Sequence, residues 1–163
     1  MRASSGGLVP ALRALSEYAE TAFGVRCTIE YEGVSLVFDD DTATHLYRIA
    51  QEAVTNSVKH GKARNIHISL VQAHGNMTLR VKDDGVGLPK DALKNKGMGM
   101  RVMQHRARMI GATLEIEKAQ PCGTMVSCKL EYVPPPDART DAATGRGRKK
   151  GRTARKPHKP TAR

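Results

Sequence analysis

The sequence predicts an α+β fold, a two-layer sandwich in which a mixed sheet carries its helices on one face. Three observations lead there. Apolar residues recur at helical spacing in three segments, near 8–22, 41–60 and 100–110. Segments that alternate in the manner of strands stand between and after them, several in adjacent pairs. Glycines punctuate the element ends, with Gly61 and Gly111 each following a helical pattern.

Taken in order, residues 8–22 place Leu8, Leu12, Leu15, Ala19 and Ala22 on one helical stripe. Residues 25–31 alternate like a strand, and 34–38 predict a second short one. A longer helix is expected from about Asp41 to His60, capped by Asp40 or Asp41 and ended by Gly61. Leu46, Ile49, Ala50, Ala53, Val54 and Val58 form its apolar stripe. Strands near 65–72 and 76–82 follow, joined by Ala73-His74-Gly75. A charged, glycine-rich stretch runs from Asp83 to Gly99. After it come a helix at about 100–110 and strands near 113–118 and 124–132. No internal repeat is present.

A length of 163 residues suits one domain with a tail, expected at 6–133 and 134–163. Apolar residues make up 39% of the chain while aromatics are 4% and Trp is absent, so the core must be aliphatic. No apolar run approaches the roughly 18 residues a membrane helix needs, and no secretion signal follows Met1, so a cytoplasmic location is expected. Cys27, Cys122 and Cys128 are odd in number and lack metal-ligand spacing. Cys122 and Cys128 are compatible with one strand face, and all three are expected to be buried as small hydrophobes in a reducing compartment.

The net charge of +11 suggests a nucleic-acid binder until its distribution is considered. Residues 134–163 hold 10 Lys+Arg against 2 Asp+Glu, whereas residues 1–133 hold 17 against 14. The basicity therefore belongs to the tail, which is too poor in large apolar residues to offset the entropy of folding. The tail is expected to be disordered. It serves either as a solubilising terminus or for weak, salt-sensitive, sequence-tolerant contact with nucleic acid or an acidic membrane surface.

Four constellations are able to carry chemistry. On the long helix, Glu52 and Asn56 are four apart and share a face, with Lys59 and His60 one turn further. A carboxylate, an amide oxygen, a cation and an imidazole on one face suit a metal–phosphate ligand. Taken alone, this set is better explained as a solvated helix face. Asp83-Asp84-Gly85-Val86-Gly87 directly follows a strand, where an Asp can accept a hydrogen bond from an amino group and glycines let backbone pass close to a ring. A plain turn is the bland alternative. Gly97-Met98-Gly99-Met100 precedes a helix, whose free N–H groups favour anions. Gly123-Thr124 precedes the last strand. Neither the P-loop pattern nor a dinucleotide fingerprint occurs.

Their order and spacing resemble the ATPase domain shared by histidine kinases, gyrase, ninety-kilodalton heat-shock chaperones and mismatch-repair enzymes, the GHKL or Bergerat fold. The closer resemblance is to the nitrate-sensor-like branch of two-component sensor histidine kinases, carried by Leu46-Tyr47-Arg48-Ile49-Ala50-Gln51-Glu52-Ala53 and Gly99-Met100-Arg101-Val102-Met103. It covers residues 6–131, essentially the whole folded part. It implies ATP and Mg²⁺ as cofactors, Asn56 as the Mg²⁺ ligand, and Glu52 as the group that polarises a water or orients the acceptor. It places Lys59 and His60 near the phosphates, Asp83 on the adenine amino group, and Gly85 and Gly87 in the pocket floor. Gly97, Gly99 and the Met100 amide would face the phosphates, and Thr124 the adenine. Residues 88–96 would form a mobile lid carrying Lys90, Lys94 and Lys96.

The function implied is transfer of the ATP γ-phosphate to a histidine on a dimerisation domain, with a response regulator as the further partner. None of the six histidines has the setting of such an acceptor. The chain is therefore expected to be a fragment, a remnant or a stand-alone domain, and monomeric. The alternatives are a non-catalytic or vestigial ATP-binding module, or a serine kinase of the anti-sigma type.

Overall fold

A computed structural model describes residues 7–32, 38–88 and 97–132. The expected strand at 34–38, the lid at 88–96 with Lys90, Lys94 and Lys96, and the tail at 134–163 lie outside the described residues, apart from Phe38 and Leu88.

The first helix, α1 (Leu8–Phe23), buries Leu8, Leu12, Leu15 and Ala19 and ends at Gly24, whose left-handed φ of 66° lets its N–H reach the Glu20 carbonyl. Strand β1 (Arg26–Glu32) follows, then α2 (Asp40–Lys59). The helix begins one residue earlier than the sequence predicts, and its cap is Asp39 rather than Asp40 or Asp41. Asp39 Oδ1 accepts from the Thr42 N–H at 2.8 Å and Oδ2 from the Thr42 hydroxyl at 2.7 Å. Three consecutive aspartates are chemically equivalent caps, and the position of Thr42 selects among them. The same hydroxyl lowers the Asp39 pKa.

Strands β2 (Asn65–Ala73) and β3 (Asn76–Asp83) form a hairpin whose His74 and Gly75 both take positive φ, 52° and 73°. Helix α3 (Met98–Met109) and strands β4 (Thr113–Lys118) and β5 (Thr124–Glu131) complete the order. The sheet runs β1-β2-β3-β5-β4, with β1 parallel to β2 and every other pair antiparallel.

Alternation along the central strands decides which face is covered. Ile66, Ile68 and Leu70 on β2, Met77, Leu79 and Val81 on β3, and Val126 and Cys128 on β5 are buried, while their strand neighbours are half-buried or exposed. The buried face meets α2, whose Leu46, Ile49, Ala50, Ala53 and Val54 are all 2% exposed or less. Cutting Leu46 to Ala is expected to cost about 2–5 kcal/mol, because such a site collapses incompletely. One expectation is corrected here. Cys27 and Cys128 are buried, but Cys122 is exposed, because it lies in the turn before β5 rather than on the strand. Its thiol points to the Asp84 carbonyl at 3.4 Å.

Candidate functional site

The apolar stripe of α2 holds the helix against the sheet, and this fixes where its polar residues go. Glu52, Asn56, Ser57 and His60 border a cavity of about 770 Å³. The first turn of α3 and the ends of β3, β4 and β5 supply the remaining walls. That volume lies within the range of small-molecule and cofactor sites. Val86, Leu88, Met103, Ile116 and Val126 make much of the wall apolar.

Two polar clusters face this space. The first centres on Asp83, the last residue of β3, which is 5% exposed. Its Oδ1 accepts from the Gly85 N–H at 2.8 Å and the Thr124 N–H at 3.1 Å. Its Oδ2 accepts from the Ser57 hydroxyl at 2.8 Å. Three donors thus surround a carboxylate that is almost shut off from water. Glycines make the close approaches possible. A Cβ on Gly123, whose φ is 93°, would run into the Asp83 carbonyl, and a Cβ on Gly85 would run into the Gly61 carbonyl. That Gly61 carbonyl accepts from the Val86 N–H at 2.8 Å, so the loop after β3 crosses the end of α2.

The neighbouring Asp84 turns the other way. Its carboxylate accepts from the backbone N–H groups of Arg64 and Asn65, both at 2.9 Å, and from the Asn65 amide at 2.6 Å. The Asn65 side chain, followed by its backbone N–H, lowers the Asp84 pKa.

The second cluster joins α2 to α3. Asn56 Nδ2 donates to Glu52 Oε1 at 3.2 Å, which leaves the Asn56 amide oxygen as its acceptor face. A Cβ on Gly99 would collide with Glu52 Oε1 and stand 3.1 Å from Asn56 Nδ2, so the glycine lets the first turn of α3 lie against this pair without displacing either side chain. Gly97 caps α3, and among the described residues no side chain caps the amides of that turn.

Of the residues singled out from the sequence, Glu52, Asn56, His60, Asp83, Gly87, Gly97, Gly99, Met100 and Thr124 all border the cavity. Gly85 lies behind Asp83 as a hydrogen-bond donor. Lys59 is exposed and does not border it. Ser57 and Gly61 also border the cavity, and neither stands out in the sequence. Ser57 sits on the sheet side of α2 among apolar neighbours, where a serine attracts no attention, and Gly61 reads only as a helix stop.

This sandwich with a glycine-edged cavity is the fold of histidine kinase ATPase domains. The ATP binding domain of PrrB from Mycobacterium tuberculosis superposes with a TM-score of 0.67 at 18% identity, covering 79% of this chain and 96% of that one. The histidine kinase domain of a blue-light activated histidine kinase from Erythrobacter litoralis gives 0.67 at 21% identity, covering 77% and 61%. Sequence gives the family itself. Residues 41–134, more than half of the chain, match the model described as histidine kinase-, DNA gyrase B-, and HSP90-like ATPase, and the chain belongs to that family. The nitrate/nitrite sensor protein NarX of Escherichia coli is 31% identical over 120 residues, 74% of this chain and 20% of NarX. The chain thus spans about a fifth of that relative's length, and the resemblance to the nitrate-sensor branch holds.

Proposed function

We propose that residues 6–133 are the ATP-binding catalytic domain of a two-component sensor histidine kinase, with 134–163 as an accessory basic tail. The observation that carries this reading is the buried, triply hydrogen-bonded Asp83 bordering the same cavity as the Glu52–Asn56 pair. Asp83 accepts from the adenine amino group, with Thr124 beside it and Gly85 and Gly87 shaping the floor. Gly97, Gly99 and the Met100 amide receive the phosphates at the start of α3. His60 borders the phosphate side, and the exposed Lys59 adds positive charge at longer range.

The donor set suits Mg²⁺. Among the described residues no group of three His, Cys, Asp or Glu is gathered to hold a metal. An ion that keeps its waters and takes one or two protein oxygens plus phosphate matches Asn56 Oδ1 beside Glu52. Bound there, it neutralises charge developing on the phosphates. In the transfer, a nitrogen of the acceptor imidazole bonds to the γ-phosphorus as the bond to the bridging oxygen breaks. ADP keeps that electron pair, and Glu52 orients the imidazole and takes the proton it releases. The acceptor belongs to a dimerisation domain, and a response regulator takes the phosphoryl group onward. The domain acts in the cytoplasm as a monomer. Among the described residues no helix is long and apolar enough to cross a membrane.

Calorimetric titration with a non-hydrolysable ATP analogue, with and without Mg²⁺, tests the reading. Micromolar binding by the native chain, strengthened by Mg²⁺, is expected. Asp83→Asn should weaken it at least about a hundredfold, because an amide points a donor where the base also donates. Truncation after Val133 should leave affinity unchanged. A folded native chain that binds no nucleotide would sink the assignment.

A further inference from the structure

Ser57 has a single hydroxyl proton and two acceptors in reach, the Ala53 carbonyl at 2.9 Å and Asp83 Oδ2 at 2.8 Å. It is 5% exposed, yet it borders the cavity beside Asp83. Whichever acceptor takes the proton, the hydroxyl has none left to give to a ligand. What it presents to the cavity is oxygen lone pairs. Asp83 is constrained in the same sense. Both lone pairs of Oδ1 are taken by the amides of Gly85 and Thr124, so Oδ2 alone remains to receive a donor. The two side chains together form a patch that accepts hydrogen bonds and donates none.

We infer that Ser57 is a positioning and specificity-determining residue, which holds Asp83 Oδ2 and makes this patch reject purines that carry a carbonyl at the six position. The inference rests on the reading that the base sits against Asp83. A six-amino purine offers N–H to the patch. A six-oxo purine brings a carbonyl oxygen against two oxygen acceptors with no proton between them. With Ser57 removed, the vacated space admits a water that donates to the carbonyl and to Asp83 at once, and discrimination relaxes. When the hydroxyl of Ser57 on α2 gives its proton to Oδ2 at the end of β3, it also keeps that oxygen from swinging away from the ligand.

ADP and IDP, which differ at the six position, are the probes, titrated calorimetrically against the native chain, Ser57→Ala and Ser57→Thr, with circular dichroism confirming the fold of each. The ratio of ADP to IDP affinity should fall about tenfold in Ser57→Ala, the worth of one hydrogen bond to a charged group, mainly through tighter IDP binding. Ser57→Thr keeps the hydroxyl and should keep the ratio. A merely structural serine would weaken both nucleotides together. An unchanged ratio in Ser57→Ala, with the native chain binding ADP, overturns this inference and leaves the ATPase reading standing. A lowered ratio in Ser57→Thr overturns it too, and failure of the native chain to bind ADP overturns both readings.

Discussion

Around Asp83 three donors converge on one carboxylate from three elements, β5, α2 and the loop after β3, and two of them are backbone amides. Around Glu52 and Asn56 a single side-chain hydrogen bond, of 3.2 Å, joins the pair among the described residues, and the approach of α3 is limited by the ends of flexible side chains. Exposure follows the same division, since Asp83 is 5% exposed and Met98 at the start of α3 is 79% exposed. The first cluster is preorganised and the second is free to rearrange. On the proposed function, the first would recognise a rigid flat base, and the second would adapt to a phosphate chain and a hydrated ion.

Gly123→Ala is expected to have the largest effect. At φ 93° a side chain is strained, and its Cβ would meet Asp83 backbone, which cannot yield without opening the β3–β5 pairing. Chemical denaturation should show a loss of about 2–4 kcal/mol, and nucleotide affinity should fall with it. A variant within about 0.5 kcal/mol of the native chain would show that the Asp83 cluster is not rigid.

Gly99→Ala sharpens the same contrast from the other side. Its Cβ meets the ends of Glu52 and Asn56, which can move, and alanine is the better helix former. Stability should hold or rise slightly, while affinity for the Mg²⁺-bound ATP analogue falls about tenfold as the two side chains are displaced. Equal loss of stability in Gly99→Ala and Gly123→Ala would erase the distinction between the clusters.

What the sequence reveals of this molecule depends on how local each determinant is. The stripe of α2 from Leu46 to Val54 is legible because 3.6-residue periodicity needs no partner. The hairpin at His74-Gly75 is legible for the same reason. The parallel pairing of β1 with β2 is not, since Arg26 meets Asn65 across an entire helix. In the site, Glu52, Asn56, Asp83 and Gly99 stand out because their spacing and order resemble a family. Ser57 does not, because its partner Asp83 is 26 residues away and nothing local distinguishes a serine that back-bonds to Ala53 from one that holds a carboxylate. Cys122 departs from the expectation that free thiols are buried as small hydrophobes, because the turn before β5 leaves it exposed.

The thiols report on the two environments. Burial pushes Cys128 up to about 12, and burial followed by Glu20 pushes Cys27 up to about 11, both from 9.0. Both folded values are raised, so the stability these groups contribute is fully present below pH 9 and is lost as pH rises toward 11–12. Cys128→Ala should flatten that fall in an unfolding series, although its cavity lowers stability throughout. In native protein at neutral pH, a maleimide should label the exposed Cys122 quickly and reach Cys27 and Cys128 only on unfolding. Fast labelling of all three would mean that the core beside the Asp83 cluster opens readily.

The smallest effect should come from Asp84→Asn, and it separates two adjacent aspartates. Asp84 ties the start of β2 to the end of β3 from an exposed position, through Arg64 and Asn65, and does not border the cavity. Its lowered pKa means that its contribution is present above pH 3.8 and lost as pH falls below that value. An amide keeps one acceptor for the two backbone N–H groups but presents its NH₂ to the Asn65 amide, which can turn over to offer its oxygen. A loss under about 1 kcal/mol is therefore expected at neutral pH, with the acid-dependent part of the unfolding curve reduced. ADP affinity should stay at the native value, in contrast to Asp83→Asn. If Asp84→Asn weakened ADP binding as severely, the order around Asp83 would depend on the β2–β3 latch rather than on its own three donors.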